Sequence, residues 1–330
     1  MGFHANVIGV NGDGFQISTN SLRARFLAVV VAIDLAIAGC ASPPLAPEHP
    51  PRAEPLVLTR KADRPLIAFV LGGGGARGFA HTGVLKVLDD AGIRADLVVG
   101  TSAGSLVGAL YAGGIRNDEL LETALAVQRE ELIDFVFPHR GFIEGNRLQA
   151  YIDKALKGRL IEQLDIPFVA VATELASGRL VAFTRGDAGM AVRASCSVPV
   201  VFQPTVIRGS EYADGGLVSP VPVRVARALG ADLVIAVDVS RQPDEQKELA
   251  STAAMLSHAF VVMEHALAQE ETKLADVVIR PDLAKVPATD LAARGRAITA
   301  GEDAARAALP QIRSLIAERT VTRSGGKPGR

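Results

Sequence analysis

The chain has 330 residues, 48% apolar and 22% charged, which excludes global disorder and allows about two domains or one large α/β domain. Thirty-five Lys and Arg against 36 Asp and Glu leave a net charge of -1, so no basic surface argues for nucleic acid, and the lack of Trp weakens base stacking too. Two cysteines and six scattered histidines make neither a disulfide framework nor a metal cluster, and no calcium-loop spacing of acids is visible, so no metal or other cofactor is expected.

Residues 1–39 read as a leader. Arg23 and Arg25 precede an apolar run from Phe26 to Ala38, shorter than the ~20 residues of a membrane span. Ile37-Ala38-Gly39-Cys40 resembles a bacterial lipobox, whose cysteine receives diacylglycerol before cleavage. An ordinary signal peptide with a chance cysteine is the plainer alternative. Asp34 departs from the pattern, and the mixed residues ahead of Arg23 suggest a start near Ser21 instead of Met1. The expectation is a lipoprotein anchored to a membrane through Cys40, on the periplasmic side, and, if the cell is Gram-negative, in its outer membrane, since Ala41 follows. Residues 40–61, with prolines at 43, 44, 47, 50, 51 and 55, should form a stiff linker. The folded domain is expected over 62–318, with a frayed tail at 319–330.

In chain order, Pro65 to Leu71 is a continuous apolar run, as in a strand buried on both faces. A helix follows over Phe79 to Ala91, then a strand over Ala95 to Gly100 and a helix over Ala103 to Ala112 that stops at Gly113-Gly114. Further strands are predicted at 167–173, 180–184, 232–239 and 276–280, and helices at 117–127, 146–157, 187–194, 220–229, 248–272 and 294–317. This alternation predicts an α/β fold with three layers, α/β/α, around a mainly parallel sheet.

Three glycine-rich turns carry the chemistry. Gly72-Gly73-Gly74-Gly75-Ala76-Arg77-Gly78 lies between a strand and a helix, where backbone N–H groups make an anion site. It fits GxGxxG, yet the next strand ends in Gly100-Thr101-Ser102, without the acid a dinucleotide fold needs, and Asp96 stands at its beginning. An oxyanion hole meets the same requirement. Gly100-Thr101-Ser102-Ala103-Gly104 is a G-x-S-x-G after a buried strand and at a helix start, the place of a nucleophile elbow.

A serine nucleophile needs a base. His81 on its helix should pack or bond locally, His258 and His265 lie on a covering helix, and His139 lies in a loop. Asp214, in Asp214-Gly215-Gly216, does stand in a glycine-marked turn. Asp-Gly is ordinarily a plain turn, whereas a buried carboxylate aimed at the serine would act as base directly.

Glycine loop, G-T-S-A-G and D-G-G in this order resemble the patatin-like phospholipase family, in its bacterial branch related to neuropathy target esterase. Ala172-Thr173-Glu174-Leu175-x-Ser177-Gly178 and Arg193-Ala194-Ser195-Cys196-Ser197-Val198-Pro199 with Phe202 resemble further stretches of that branch. The likeness runs over roughly 64–239. Val200 and Gln203 depart from it, and Cys196 reads as a small buried residue.

The resemblance implies a patatin-like fold and a dyad without histidine, Ser102 as nucleophile and Asp214 as base. It makes Gly73, Gly74, Gly75, Ala76, Arg77 and Gly78 the oxyanion loop, and Gly100, Gly104, Gly215 and Gly216 the residues flanking the two catalytic ones. The Arg77 side chain is then either a loop brace or phosphate contact, or a solvated charge. The implied reaction is hydrolysis of an acyl lipid, a phospholipid or lysophospholipid, through an acyl-enzyme. Phe135, Val136, Phe137 and Phe142 form either an apolar rim or core. The rival readings are a catalytically silent lipid-binding or scaffold protein of the same fold and a dinucleotide-binding α/β protein.

Overall fold

The computed structural model describes residues 48–325 apart from 62, 138, 139 and 244–250. The expected leader, Cys40 and His139 lie outside the described residues. The first elements are β1 (Ile67–Leu71), α1 (Phe79–Asp90), β2 (Leu97–Thr101), α2 (Ala103–Ala112), α3 (Asn117–Ala126), α4 (Arg129–Leu132), β3 (Gly141–Ile143) and α5 (Asn146–Ala155). Then come β4 (Phe168–Glu174), β5 (Arg179–Phe183), α6 (Ala188–Ser195), β6 (Val200–Phe202), β7 (Thr205–Ile207) and β8 (Ser210–Asp214). The chain continues with α7 (Val223–Ala228), β9 (Leu233–Val237), α8 (Thr252–Thr272), β10 (Val277–Ile279) and α9 (Arg294–Gly325).

The main sheet runs β10-β9-β1-β2-β4-β8-β7, with β5 also paired to β4. From β10 to β4 every pairing is parallel, while β5, β8 and β7 are antiparallel additions. In β1 the side chains alternate between two cores, as a doubly covered strand requires. Ile67, Phe69 and Leu71 pack with Val84 and Leu85 of α1, Leu110 of α2 and Ile312 of α9. Leu66, just ahead of the strand, and Ala68 and Val70 face Val223 and Ala226 of α7 and Ala268 of α8. This is the expected three-layer α/β/α architecture around a mainly parallel sheet. α1 and α9 cross in backbone contact, because a Cβ on Gly83 would strike the Ile298 carbonyl and one on Gly301 the Ala80 carbonyl.

The register of β4 determines where the site forms. β2 lies along Phe168 to Val171, with Thr101 opposite Val171. β5 covers Ala170 to Glu174 and β8 covers Ala172 to Glu174, with Asp214 opposite Ala172. β5 therefore fills one edge of β4, and β2 and β8 share the other. Their C-terminal ends meet head to head, on adjoining residues of β4. β8 is aligned by a two-residue turn from β7, Arg208 and Gly209 at φ 51° and 81°, the mirror-image hairpin turn that suits strand twist.

Three expectations change. The linker is not free in its second half: Arg52 bridges to Arg185, the His49 carbonyl accepts the Asp187 N–H, and Leu56 and Leu58 pack on the α7 side of the sheet. The helix predicted at 220–229 begins at Val223, with Pro222 as its cap, because Pro lacks an N–H and suits only a helix start. The tail is helical through Gly325, and Arg319 explains its hold by bonding the Asp276 carboxylate and the Asp232 carbonyl.

Beside the main sheet, β3 and β6 pair in parallel. Phe135, Phe137 (93% exposed), Phe142, Val200 and Val201 are exposed there, so these phenylalanines are not core. Among the described residues no helix is long and apolar enough to cross a membrane.

Candidate active site

Ser102 stands between β2 and α2 at φ 52°, ψ -127°, a sparsely populated conformation that persists only where the surroundings enforce it. They do so here through backbone and serines. The Ser102 N–H donates to Ser195 Oγ at 2.9 Å, whose own hydroxyl donates to the Val171 carbonyl at 2.6 Å. The Ser105 hydroxyl donates to the Ser102 carbonyl at 2.7 Å. A Cβ on Gly104 would strike the Leu71 carbonyl, and one on Gly100 would lie 2.5 Å from the Gly104 carbonyl. The flanking glycines thus let the elbow fold tightly against β1. Ser102 itself keeps 8% exposure.

Asp214 ends β8 with 3% exposure. Its N–H donates to the Ser197 carbonyl at 2.9 Å, and its carbonyl accepts the Thr173 hydroxyl at 2.8 Å. Oδ1 accepts the Gly216 N–H at 2.7 Å, while Oδ2 is buried without an aligned partner. Burial raises the carboxyl from its ordinary 3.8 to about 6, and the nearby Ser102 hydroxyl and the Gly216 N–H partly offset this. The carboxyl is therefore a base that can take a proton near neutrality, with an open lone pair and a serine beside it. A Cβ on Gly215 would strike the Val171 carbonyl, which is why glycine must follow the aspartate.

The glycine loop is selective about its donors. The Gly73 N–H is taken by the Pro220 carbonyl at 2.9 Å, Ala76 by Ala288 at 2.7 Å, and Arg77 by Gly74 at 3.2 Å. Gly78 is needed for packing, since a Cβ there would lie 2.5 Å from that of Ala103. Among the described residues no carbonyl takes the N–H groups of Gly74 and Gly75. Of the six residues expected to form the oxyanion loop, Gly73, Ala76 and Arg77 thus have their N–H groups committed to backbone carbonyls. Arg77 is 3% exposed, which overturns the solvated reading of its charge.

Among the described residues no hydrogen bond joins a histidine to Ser102 or Asp214. His81 is fully buried, with Nε2 2.8 Å from the Gly72 carbonyl, and burial lowers its pKa to about 4. It is neutral near pH 7, donates to that carbonyl and steadies the loop. Nε2 of His265 lies 3.5 Å from Nε2 of Gln269. Cys196 is buried, its thiol pushed up by burial, as a packing residue would be. Among the described residues no three His, Cys, Asp or Glu are grouped to hold a metal. Asp96 binds Arg64 at the N-terminal end of β2, far from where a ribose would need it.

Residues 69–227 match the patatin-like phospholipase family, a stretch that runs from β1 into α7 and includes both Ser102 and Asp214. The chain carries a patatin-like phospholipase domain. An uncharacterized NTE family protein of Mycobacterium bovis is 35% identical over 184 residues, 55% of this chain and 51% of that protein. Human patatin-like phospholipase domain-containing protein 6 is 32% identical over 228 residues, 67% of this chain and 16% of that protein. Lysophospholipase NTE1 of Mycosarcoma maydis is 37% identical over 57% of this chain and 10% of its own length. The chain spans about half the length of the first of these relatives. Among solved structures, VipD from Legionella pneumophila shares the fold, with a TM-score of 0.55 over 78% of this chain and 70% of that one at 15% identity.

Two residues of the patatin-like domain's site carry no signal of their own in the sequence. Ser195 falls in the R-A-S-x-S stretch, whose geometric purpose becomes visible only when its hydroxyl meets the Ser102 N–H. Glu264 lies on α8, and its Oε1 is 3.7 Å from where a Cβ of Gly73 would sit and 3.2 Å from that of Gly216. Burial, and next the Asp214 charge, raise its carboxyl from 4.5 to about 7.

Proposed function

We propose that the domain hydrolyses fatty-acyl esters of phospholipids or lysophospholipids through Ser102 and Asp214. The observation that carries this reading is the meeting of β2 and β8 on one edge of β4, which sets a strained serine beside a buried, half-satisfied carboxylate. The relatives named as phospholipase and lysophospholipase support the choice of an acyl lipid. In the proposed reaction Ser102 attacks the acyl carbonyl while Asp214 accepts its proton, and the N–H groups of Gly74 and Gly75 receive the oxyanion. Asp214 returns the proton to the leaving alkoxide. Water, deprotonated by the same carboxylate, then releases the fatty acid and restores Ser102. The exposed phenylalanines are suited to apolar chains.

A fluorophosphonate label and a chain-length series of nitrophenyl esters test the reading on purified protein in detergent. Expected are labelling and turnover in the wild type, loss of both in Ser102→Ala, loss of turnover in Asp214→Asn, and activity kept in His258→Ala and His265→Ala. A folded wild type that neither labels nor hydrolyses any ester defeats the reading in favour of a silent lipid binder. We also propose that Cys40 carries a lipid that anchors the protein to a membrane on its periplasmic side. Metabolic palmitate labelling that survives Cys40→Ser would refute this.

A further inference from the structure

α8 turns one stripe toward the domain, Val261, Glu264, Ala268 and Glu271, at helical spacing. Val261 and Ala268 are buried there, as an inward face requires. The two glutamates on this face are treated very differently. The Glu271 carboxylate accepts the Ser219 hydroxyl at 2.7 Å, the Arg224 Nε at 2.6 Å and the Val221 N–H at 3.3 Å, and so ties α8 to the start of α7. No hydrogen bond among the described residues ends on Glu264. Glu264 is half-buried on this inward face, so its carboxyl is turned toward the domain without being tied to it.

The point where a Gly216 Cβ would sit is 3.2 Å from Glu264 Oε1 and 3.0 Å from Asp214 Oδ1, so the two carboxyls converge on one spot. The corresponding point on Gly73 is 3.7 Å from Glu264 Oε1 and 3.3 Å from Ser102 Cβ. The carboxyl therefore occupies the gap between the glycine loop and the D-G-G turn, on the side of Gly73 that Ser102 borders. The charged groups that act on it are Asp214 and Asp238, which disfavour its ionisation, and Arg241 and Arg77, which favour it. Burial and the two aspartates prevail over the two arginines.

We infer that Glu264 works as a protonated acid, donating a hydrogen bond into the space beside Gly73 and Ser102 where the tetrahedral oxygen forms. It would join the N–H groups of Gly74 and Gly75 as a third donor, and as a neutral group it leaves Asp214 the sole negative charge of the pair. A neutral carboxylic acid can stabilise an oxyanion, whereas its ionised form offers no donor and repels the developing charge. The inference rests on the acyl-transfer reading above.

The test is the pH profile of kcat/KM on a nitrophenyl ester, with spontaneous hydrolysis subtracted, for wild type, Glu264→Gln and Glu264→Ala. In the wild type activity should rise as pH passes about 6, where Asp214 ionises, and fall as it passes about 7, where Glu264 does. The two values belong to a coupled pair, so the limbs are macroscopic. Glu264→Gln keeps a donor and loses the proton, so it should retain neutral-pH activity within about tenfold and lose the alkaline limb. Glu264→Ala should lose about a hundredfold in kcat, the scale for removing one oxyanion donor. An alkaline limb that persists unchanged in Glu264→Gln overturns the inference while leaving the dyad standing. Full activity of Glu264→Ala at pH 6 overturns it as well. If the wild type shows no turnover at all, the acyl-transfer reading fails and this inference with it.

Discussion

Asp96, Asp232 and Asp276 stand just ahead of three parallel strands, and Asp214 stands at the end of an antiparallel one. At the starting end each carboxylate is claimed several times. Asp96 accepts the Ile67 N–H at 3.0 Å and both Arg64 nitrogens at 2.6 Å. Asp232 accepts the Leu66 N–H and Arg60, and Asp276 the Val234 N–H, Arg227 and Arg319. These partners outweigh partial burial and hold Asp96 and Asp276 below the ordinary carboxylate range. At the other end Asp214 is buried and Glu264 half-buried, both with fewer partners, and they lie above it. One end of the sheet uses acids to register its strands, and the other keeps acids underpaired, at a cost in stability that the proposed chemistry would explain.

That contrast can be broken by substitution. The largest expected effect is Asp214→Asn, with turnover down at least about a thousandfold. Removing a buried charge whose pKa is raised should at the same time raise the melting temperature at pH 7. A mutant that loses stability along with activity would place Asp214 with the structural acids. Next comes Gly104→Ala, whose Cβ would meet the Leu71 carbonyl. Chemical denaturation should report a loss of about 3 kcal/mol, with labelling of Ser102 slowed in the folded fraction. Asp276→Asn should cost about 2 kcal/mol, discounted for the partial exposure of its arginine partners, and should leave kcat per folded molecule unchanged.

The smallest effect is in the pH dependence of stability, where the two ends have opposite signs. The lowered pKa values of Asp96 and Asp276 add stability above their ordinary 3.8, which is lost as pH falls through their folded values. The raised values of Asp214 and Glu264 subtract stability as pH climbs from 3.8 and 4.5 toward about 6 and 7. An Asp214→Asn, Glu264→Gln double mutant should therefore lose less stability than wild type between pH 5 and 7.5 in denaturant titrations, and show the same loss below pH 4.

The parallel half of the fold was legible because its strands are continuous apolar runs such as Ile67–Leu71, and its helices stop at glycines. The antiparallel half was not. β6 and β7 have three residues each, too few to show a period, and β8 reads Ser-Glu-Tyr-Ala-Asp, a strand made by its partner β4 instead of by propensity. The motifs located Ser102 and Asp214 but not what holds them, since Ser195 and Val171 act across long separations. They also assigned six residues to the oxyanion loop, where three backbone carbonyls take the N–H groups of Gly73, Ala76 and Arg77. Glu264 was hidden in a charged helical segment, Glu264-His265-Ala266-Leu267-Ala268-Gln269-Glu270-Glu271, that reads as a solvated face. Only the packing of α8 separates the inward glutamates from the outward one.

The hairpin turn at Arg208 and Gly209 makes this domain sensitive to insertion in a way that a loop of ordinary composition would not be. A strand's side chains alternate between the sheet's two sides, so one added residue that slid β8 by a single place would point the carboxylate of Asp214 away from Ser102. The sheet could still close and the core still pack. A library of single-residue insertions between Ile207 and Ser210 should therefore yield folded, soluble and inactive protein, while insertions in the surface turn at Ser177-Gly178 should be borne without loss.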